Sequence, residues 1–166
     1  TTGHTDHPVT VGDVLLRRAT LEDATTASSV DGLQVLPAGE DLKHHRIELG
    51  RALAPLRDQG TLIVGSGFTT HNLRWFNPRA GADAAPPTAS SEFDHWAAET
   101  VDAGDIDSLE RMLEIAPAGH EAHPRTEHWA PLYIAMGAAD ASGATQRDVA
   151  VDGFWFGLSK RSWQFS

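Results

Sequence analysis

Apolar positions in the first half of the chain alternate between strand-like runs and a helical stripe. Residues 33–36 and 62–64 form short apolar runs that predict strands, the second of them buried. Between them, Asp41 is expected to cap a helix. The positions that share one face of this helix are Leu42, His45, Leu49, Leu53 and Leu56. Pro55 is expected to kink the helix or to restart its last turn, and Gly60 ends it, so the pattern indicates an αβ unit.

Three later helices are predicted from apolar stripes that follow a capping residue. The caps are Ser91, Asp105 and Thr126. The stripes consist of Phe93, Trp96 and Ala97 in the first helix, Ile106, Leu109 and Leu113 in the second, and Trp129, Leu132, Tyr133 and Met136 in the third. We expect Gly137 to end the third helix and Pro131 to lie within its first turn.

The C-terminal part of the chain returns to strand-like patterns. Residues 149–159 favour a strand interrupted by glycine, and residues 163–165 alternate like an edge or closing strand. Together with the αβ unit, these elements predict an α/β fold with a mixed sheet flanked by helices. Residues 1–32 show little apolar periodicity, so we expect a divergent or weakly ordered N-terminal segment followed by a domain over residues 33–166.

Composition narrows the classes of function. The 166 residues are 40% apolar and 22% charged, which is typical of a globular domain. Thirteen basic and twenty-three acidic residues give a net charge of −10, which argues against binding to nucleic acid or to anionic membranes. No apolar run approaches the ~20 residues that span a bilayer, and no signal peptide is recognised, so we expect a cytoplasmic protein.

Histidine is the residue type that suggests chemistry. The chain has no cysteine, so any metal would bind His, Asp or Glu side chains, and nine histidines are available. His71 follows the predicted strand through Gly65 and Gly67, at the strand end where open α/β sheets bind ligands. The two glycines would let the backbone approach a ligand closely. His71 is therefore a candidate for proton transfer or metal binding, and the alternative is a loop histidine bonded to backbone.

A second histidine cluster lies at residues 123–128. His128 falls near the start of a predicted helix, where the partial positive charge keeps an imidazole neutral, the form that binds metal; the alternative is a surface histidine. His123 precedes Pro124 and is expected to be extended, either pointing into the same cleft or capping a loop. Trp155, close to two glycines, is a candidate for lining an aromatic pocket.

Three blocks of the chain, residues 51–73, 123–132 and 153–165, resemble one family. The first contains Gly-Ser-Gly-Phe-Thr-Thr-His-Asn-Leu, the second His-Pro-Arg-Thr-Glu-His-Trp-Ala-Pro-Leu, and the third Gly-Phe-Trp-Phe-Gly-Leu-Ser-Lys-Arg-Ser-Trp-Gln-Phe. They are similar, in the same order, to class III extradiol ring-cleavage dioxygenases of the LigB superfamily, in particular the DOPA-dioxygenase type. The resemblance runs from about Leu33 to Ser166 and covers only the C-terminal half of that family.

The resemblance implies metal-dependent chemistry on an aromatic ring. Members of the family hold a non-haem Fe(II), in some cases Zn(II), by histidines in an α/β fold, and they open a catechol with O₂. By resemblance, His71 is the acid/base residue and His128 is a metal ligand. The candidates for substrate binding are His123, Trp155 and His7.

The N-terminal segment departs from the family. Members carry two further metal-binding histidines, in a His-Gly-Ser-Pro-like loop and an Ala-His-Trp-like strand end, and neither motif occurs here. His7 is matched to a later Asp-His-Gly segment; alternatively, His4 is a relic of the first metal loop. We therefore expect a fragment of a longer enzyme, or a homo-oligomer or partner subunit that supplies the missing ligands. The remaining alternative is a metal-free relative that does other chemistry on a small aromatic substrate or only binds.

Overall fold

The computed structural model describes residues 26–27, 29–35 and 45–166. Its helices are α1 (Arg46–Asp58), α2 (Thr88–Ala103), α3 (Ile106–Glu110), α4 (Met112–Ile115), α5 (Gly119–Ala122) and α6 (Ala130–Ala141). Its strands are β1 (Thr26–Ala27), β2 (Gln34–Val35), β3 (Arg147–Val151), β4 (Phe154–Trp155), β5 (Leu158–Ser159) and β6 (Ser162–Phe165). Within these ranges no helix is both long and apolar enough to cross a membrane.

Helices α1 and α6 pack against each other through two glycines. A methyl group at Gly50 would lie 2.8 Å from the backbone nitrogen of Ala138, and one at Gly137 would lie 3.2 Å from that of Arg51. The two helix backbones therefore approach more closely than side chains would allow. The prediction that Gly137 ends α6 is wrong, because the helix continues to Ala141 and this glycine serves the contact with α1.

The predicted apolar stripes of the later helices form the main core. Phe93, Ala97, Leu109 and Trp129 are each at most 1% exposed. They pack with Val101, Met112, Tyr133 and Met136. A smaller cluster on the other face of α6 contains Leu49 and Leu53 of α1 as predicted. Burying these side chains is the main favourable contribution to folding, at about 25 cal/mol per Å² of apolar surface.

The caps of α2 and α3 follow the prediction only in part. Asp105 caps α3 as expected, since its carboxylate accepts a hydrogen bond from the Ser108 N–H at 3.0 Å. Helix α2 instead begins three residues before Ser91. The hydroxyl of Ser91 donates to the Thr88 carbonyl at 2.9 Å, and Pro87 fixes the backbone that enters the first turn. Ser91 therefore lies inside the helix and does not cap it.

The starts of α1 and α6 also differ from the prediction. His45 is exposed at the N-terminal boundary of α1 and does not belong to its apolar face, and Asp41 lies outside the described residues. Pro55 stays within α1, which continues to Asp58. Thr126 lies in the turn before α6, where its carbonyl accepts hydrogen bonds from the first backbone groups of the helix. Pro131 lies in the first turn of α6, as expected.

The α/β class is confirmed, and the strand pairing is local. In the described residues the strands form three two-stranded antiparallel sheets, β1–β2, β3–β6 and β4–β5. Strand β3 pairs with β6 in the register Val149↔Trp163. Strands β4 and β5 are joined by Phe156 and Gly157, whose φ angles of 51° and 93° are those of a tight hairpin turn. The division of the chain at residue 32 remains a prediction.

Residues 61–68 form an extended segment that leads towards His71. Ile63 packs beside the small α1–α6 cluster, whereas Leu62 and Val64 are 84% and 74% exposed. The backbone groups of residues 62–67 make no hydrogen bond to any described residue. The predicted buried strand is therefore wrong for the described part of the chain, because only one face of the apolar run is covered. An uncovered apolar edge of this kind favours association with other chains.

Replacing Leu62 or Val64 by lysine should reduce self-association at high protein concentration. Both side chains are already exposed, so the free energy of unfolding should change by no more than about 0.5 kcal/mol. Sedimentation velocity and urea unfolding measure the two quantities. The control is Leu73→Lys, because Leu73 is 71% exposed but lies outside the extended segment. An equal reduction with Leu73→Lys would contradict the assignment of association to this edge.

Candidate active site

Two loops meet at the end of the extended segment, and backbone hydrogen bonds hold them together. The Phe68 N–H donates to the His128 carbonyl at 3.0 Å, and the His71 N–H donates to the Ala122 carbonyl at 2.9 Å. The side-chain amide of Asn72 donates to the Glu121 carbonyl at 2.8 Å. The loop of residues 68–72 is therefore fixed against residues 121–128 at three points, which brings the two predicted histidines to one place.

The glycines of the Gly-x-Gly motif serve this contact between the loops. A methyl group at Gly65 would lie 2.6 Å from the Pro131 carbonyl oxygen, and one at Gly67 would overlap the carbonyl oxygen of His128. The two glycines were predicted to let the backbone approach a ligand. In the structure they let it approach the backbone of His128 and Pro131, so the requirement for glycine is explained without a ligand.

The imidazole rings of His71 and His128 are stacked. Their centroids lie 3.6 Å apart and their planes differ by 24°. Phe68 lies beside the pair, with its ring centroid 5.5 Å from that of His71 and 6.2 Å from that of His128. Both histidines are partly exposed, so the pair is open to small molecules. The two ring planes are nearly parallel and offset, so a metal ion close to both rings that lies in the plane of one ring would lie out of the plane of the other.

The surroundings favour the neutral form of His71. Partial burial is the main cause that lowers the pKa of His71, and the neighbouring His128 lowers it further. The carboxylate of Glu127 acts in the opposite direction and does not reverse the shift. A neutral imidazole at neutral pH can accept a proton, which is the property required of a general base.

His123 is buried beneath the stacked pair rather than open to solvent. Its side chain is 1% exposed and packs between Phe93 and Trp129, with ring centroids 5.3 Å and 5.4 Å away. Its Nε2 lies 2.8 Å from the Thr69 carbonyl oxygen and donates to it. The structure therefore gives His123 the place of a residue that supports the loop, and not the expected position in the cleft. Burial lowers its pKa to about 4, with smaller contributions from neighbouring groups.

The other two predicted site residues are Trp155 and His7. Trp155 is half-exposed and packs with Phe76 and Phe156, with centroids 5.7 Å and 4.9 Å away, so it belongs to an aromatic cluster at the β4–β5 hairpin. His7 lies outside the described residues. A groove of about 670 Å³ runs along the extended segment, between it and β6, with α6 beneath, and His128 lies on its wall. Neither His71 nor Trp155 lines this groove.

The described residues do not complete a metal site. Within residues 26–27, 29–35 and 45–166, no three His, Asp or Glu side chains converge to hold an ion. His128 would supply one ligand, and the remaining ligands would have to come from elsewhere. The predicted ligand role of His128 is compatible with this arrangement and remains a prediction.

A polar network that holds the residues preceding His71 was not predicted from the sequence. It consists of Thr69, Thr70, Ser90, Asp94, Ser159 and Arg161. One signal was present in the sequence, because Asp94 occupies a helical position in line with Ala97 and Val101. A carboxylate within an apolar stripe indicates a buried charge with a partner.

Comparisons with known proteins agree with this fold. A family model described as the catalytic LigB subunit of aromatic ring-opening dioxygenase matches residues 33–154. A 4,5-DOPA dioxygenase extradiol from Beta vulgaris is 36% identical over 124 residues, which are 74% of this chain and 44% of that protein. A protein of the same name from Escherichia coli strain K12 is 34% identical over 113 residues, 66% of this chain and 40% of that protein.

A solved structure from another protein shares this fold. The crystal structure of an uncharacterized protein from Escherichia coli K12 superposes with a TM-score of 0.63 at 28% identity, over 73% of this chain and 49% of that one. The fold is therefore that of a LigB-type protein. The chain belongs to the LigB family of aromatic ring-opening dioxygenases. It spans less than half the length of the curated relatives it matches.

Substituting Gly67 by alanine should separate the two loops. The added methyl group has no room beside the His128 carbonyl, so we expect the free energy of unfolding to fall by roughly 1–3 kcal/mol. The NMR signals of both stacked rings should change as the rings move apart. Ser66→Thr adds a methyl group at an exposed neighbouring position and should change neither quantity. Unchanged ring signals in Gly67→Ala would contradict the packing role of this glycine.

The stability of the protein should decrease in mild acid because of His123. Its pKa is lowered from 6.5 to about 4 in the folded protein, so the unfolded chain binds more protons in this range. The contribution of His123 to the free energy of unfolding is fully present above pH 6.5 and is lost as the pH falls towards 4. The loss amounts to at most about 3 kcal/mol. Urea unfolding between these pH values should show a shallower decrease for His123→Gln. The exposed His120→Gln should keep the original dependence.

Proposed function

We propose that this chain forms the part of an extradiol ring-cleaving dioxygenase that contains the acid/base histidine and one metal ligand, acting on a catechol or a related aromatic. The supporting observation is the stacked pair of His71 and His128 at the junction of the two loops. Membership of the LigB family supports the reaction class. The names of the relatives suggest a catechol such as DOPA, and O₂ as co-substrate.

His71 is proposed as the residue that moves protons. A catechol must lose a hydroxyl proton before its ring is attacked, and the leaving oxygen must later receive one. The lowered pKa of His71 keeps its ring neutral at neutral pH, ready to accept the first proton. Partial burial of His71 disfavours a lasting positive charge on its ring, which assists return of that proton.

His128 is proposed as a ligand of a non-haem Fe(II), with Zn(II) as the other candidate. When bound, such an ion would supply the site for the catechol oxygens and O₂. The stacked geometry supports different roles for the two histidines, since both rings would not direct their lone pairs at one ion. The described donors alone do not fit a complete metal site.

The missing ligands give the proposal its second part. We propose that a partner subunit, a second copy of the chain or a part of the protein outside the described residues completes the site. The observation that supports this is the match to less than half the length of the relatives. The metal analysis described next also distinguishes this proposal from a metal-free relative, which would do other chemistry on an aromatic ligand or only bind it.

Metal analysis after anaerobic reconstitution with Fe(II) or Zn(II) tests the assignment. If His128 is a ligand, His128→Ala should lose metal at least tenfold more readily than the unmodified protein. His71→Ala should retain metal and lose cleavage of catechols, measured by absorbance of the ring-opened product. His120→Ala is the control, because His120 is exposed and lies away from the loop junction. Metal retained by His128→Ala would refute the ligand role.

The amount of metal decides between the two forms of the proposal. Less than about a tenth of an equivalent bound by the unmodified chain alone would exclude the dioxygenase function for this chain without a partner. Full activity of a monomer, established by sedimentation of the active sample, would exclude the requirement for a partner subunit or second copy.

A further inference from the structure

The buried carboxylate of Asp94 lies at the centre of the polar network behind the active loop. Asp94 is 5% exposed on α2 and accepts hydrogen bonds from the side chains of Ser159, in β5, and Arg161, between β5 and β6. The guanidinium group of Arg161 makes a bidentate contact with this carboxylate, with Nε 3.0 Å from Oδ1 and Nη2 2.8 Å from Oδ2. The Ser159 hydroxyl donates to Oδ1. Three donors meet on this one carboxylate, and the bidentate contact from Arg161 holds residues 159–161 against α2.

Residues 159–161 in turn hold the two threonines that precede His71. The Ser159 N–H donates to the hydroxyl oxygen of Thr70 at 2.7 Å. The Thr69 hydroxyl donates to the Arg161 carbonyl at 2.9 Å. Neither threonine is more than 3% exposed, so neither hydroxyl has water as a substitute partner.

The hydroxyl directions in this network follow from its donors. Ser90 donates its only hydroxyl hydrogen to the Gly157 carbonyl at 2.8 Å. The 3.3 Å contact between the Ser90 and Thr70 hydroxyls therefore has Thr70 as donor. Thr70 thus accepts from Ser159 and donates to Ser90, and both of its hydrogen-bonding functions are used inside the protein.

Four consecutive residues, 69–72, are fixed from opposite sides. Residues 159–161 hold Thr69 and Thr70, whereas the Ala122 and Glu121 carbonyls hold His71 and Asn72. We propose that Asp94 is a positioning residue: through Ser159 and Arg161 it fixes Thr69 and Thr70, and thereby sets the His71 ring against His128. This inference rests on the proposed catalytic role of His71 for its functional meaning.

The test compares Asp94→Asn with a matched surface pair. An asparagine keeps the shape but presents an amide N–H₂ to donors, so at least one contact to Arg161 or Ser159 is lost. Asp140→Asn is the control, because Asp140 binds Arg51 through a similar 3.1 Å contact while both side chains are half-exposed and distant in sequence from the loop. Thr70→Val and Thr70→Ser form a second pair that removes or keeps the hydroxyl.

The readouts are the NMR signals of the His71 and His128 rings and hydrogen exchange of the His71 amide. In Asp94→Asn and Thr70→Val we expect both ring signals to move and the amide to exchange roughly tenfold faster. Asp140→Asn and Thr70→Ser should match the unmodified protein. If Asp94→Asn fails to fold, as judged by circular dichroism, Thr70→Val decides.

Each result separates this inference from the proposed function. Unchanged ring signals and exchange in folded Asp94→Asn, or in Thr70→Val, would overturn the positioning role. Where catechol cleavage is measurable, Asp94→Asn should lower kcat at least tenfold while KM stays within about twofold, since the substrate does not contact Asp94. Altered ring signals in a protein that never cleaves catechols would exclude the dioxygenase function for this chain without a partner and leave the positioning role intact.

Discussion

The contact between residues 68–72 and residues 121–128 is the interaction on which the candidate site depends. Its backbone hydrogen bonds bring together His71 and His128, which are 57 positions apart in the sequence. Gly67 permits the approach, and His123 reinforces it from below by donating to the Thr69 carbonyl. Loss of this contact would separate the stacked rings even if every helix kept its place. The site is therefore a property of the loop junction.

Much of the fold could be predicted from the sequence because its helices follow apolar periodicity. Phe93, Ala97, Leu109 and Trp129 were expected to face inward and are buried. Helix ends were less predictable, since a glycine such as Gly137 can either end a helix or lie within one at a close contact with another helix. A glycine that ends a helix and a glycine that admits a neighbouring helix look the same until the neighbour is known. The second case applies here, through contact with α1.

The candidate site was predictable in its residue types and less so in their placement. His71 and His128 were identified separately, and the structure stacks them. For His123 the sequence left open whether it faces the cleft or caps a loop, and the structure buries it, since a local pattern does not show which side of an extended residue meets the core. Asp94 was overlooked because its partners, Ser159 and Arg161, lie more than sixty residues away. Long-range polar pairing leaves almost no local signal, whereas apolar periodicity does.

Two unsatisfied features of the described chain share one location. The backbone groups of residues 62–67 have no partner among the described residues, and the described histidine pair at the end of this segment lacks the donors of a metal site. An additional strand beside residues 62–67 would satisfy the backbone and cover Leu62 and Val64. It would also have one end next to the loop that carries His71. On the proposed function, one neighbouring segment would therefore both pair with the backbone of residues 62–67 and bring the missing donors to the histidine pair.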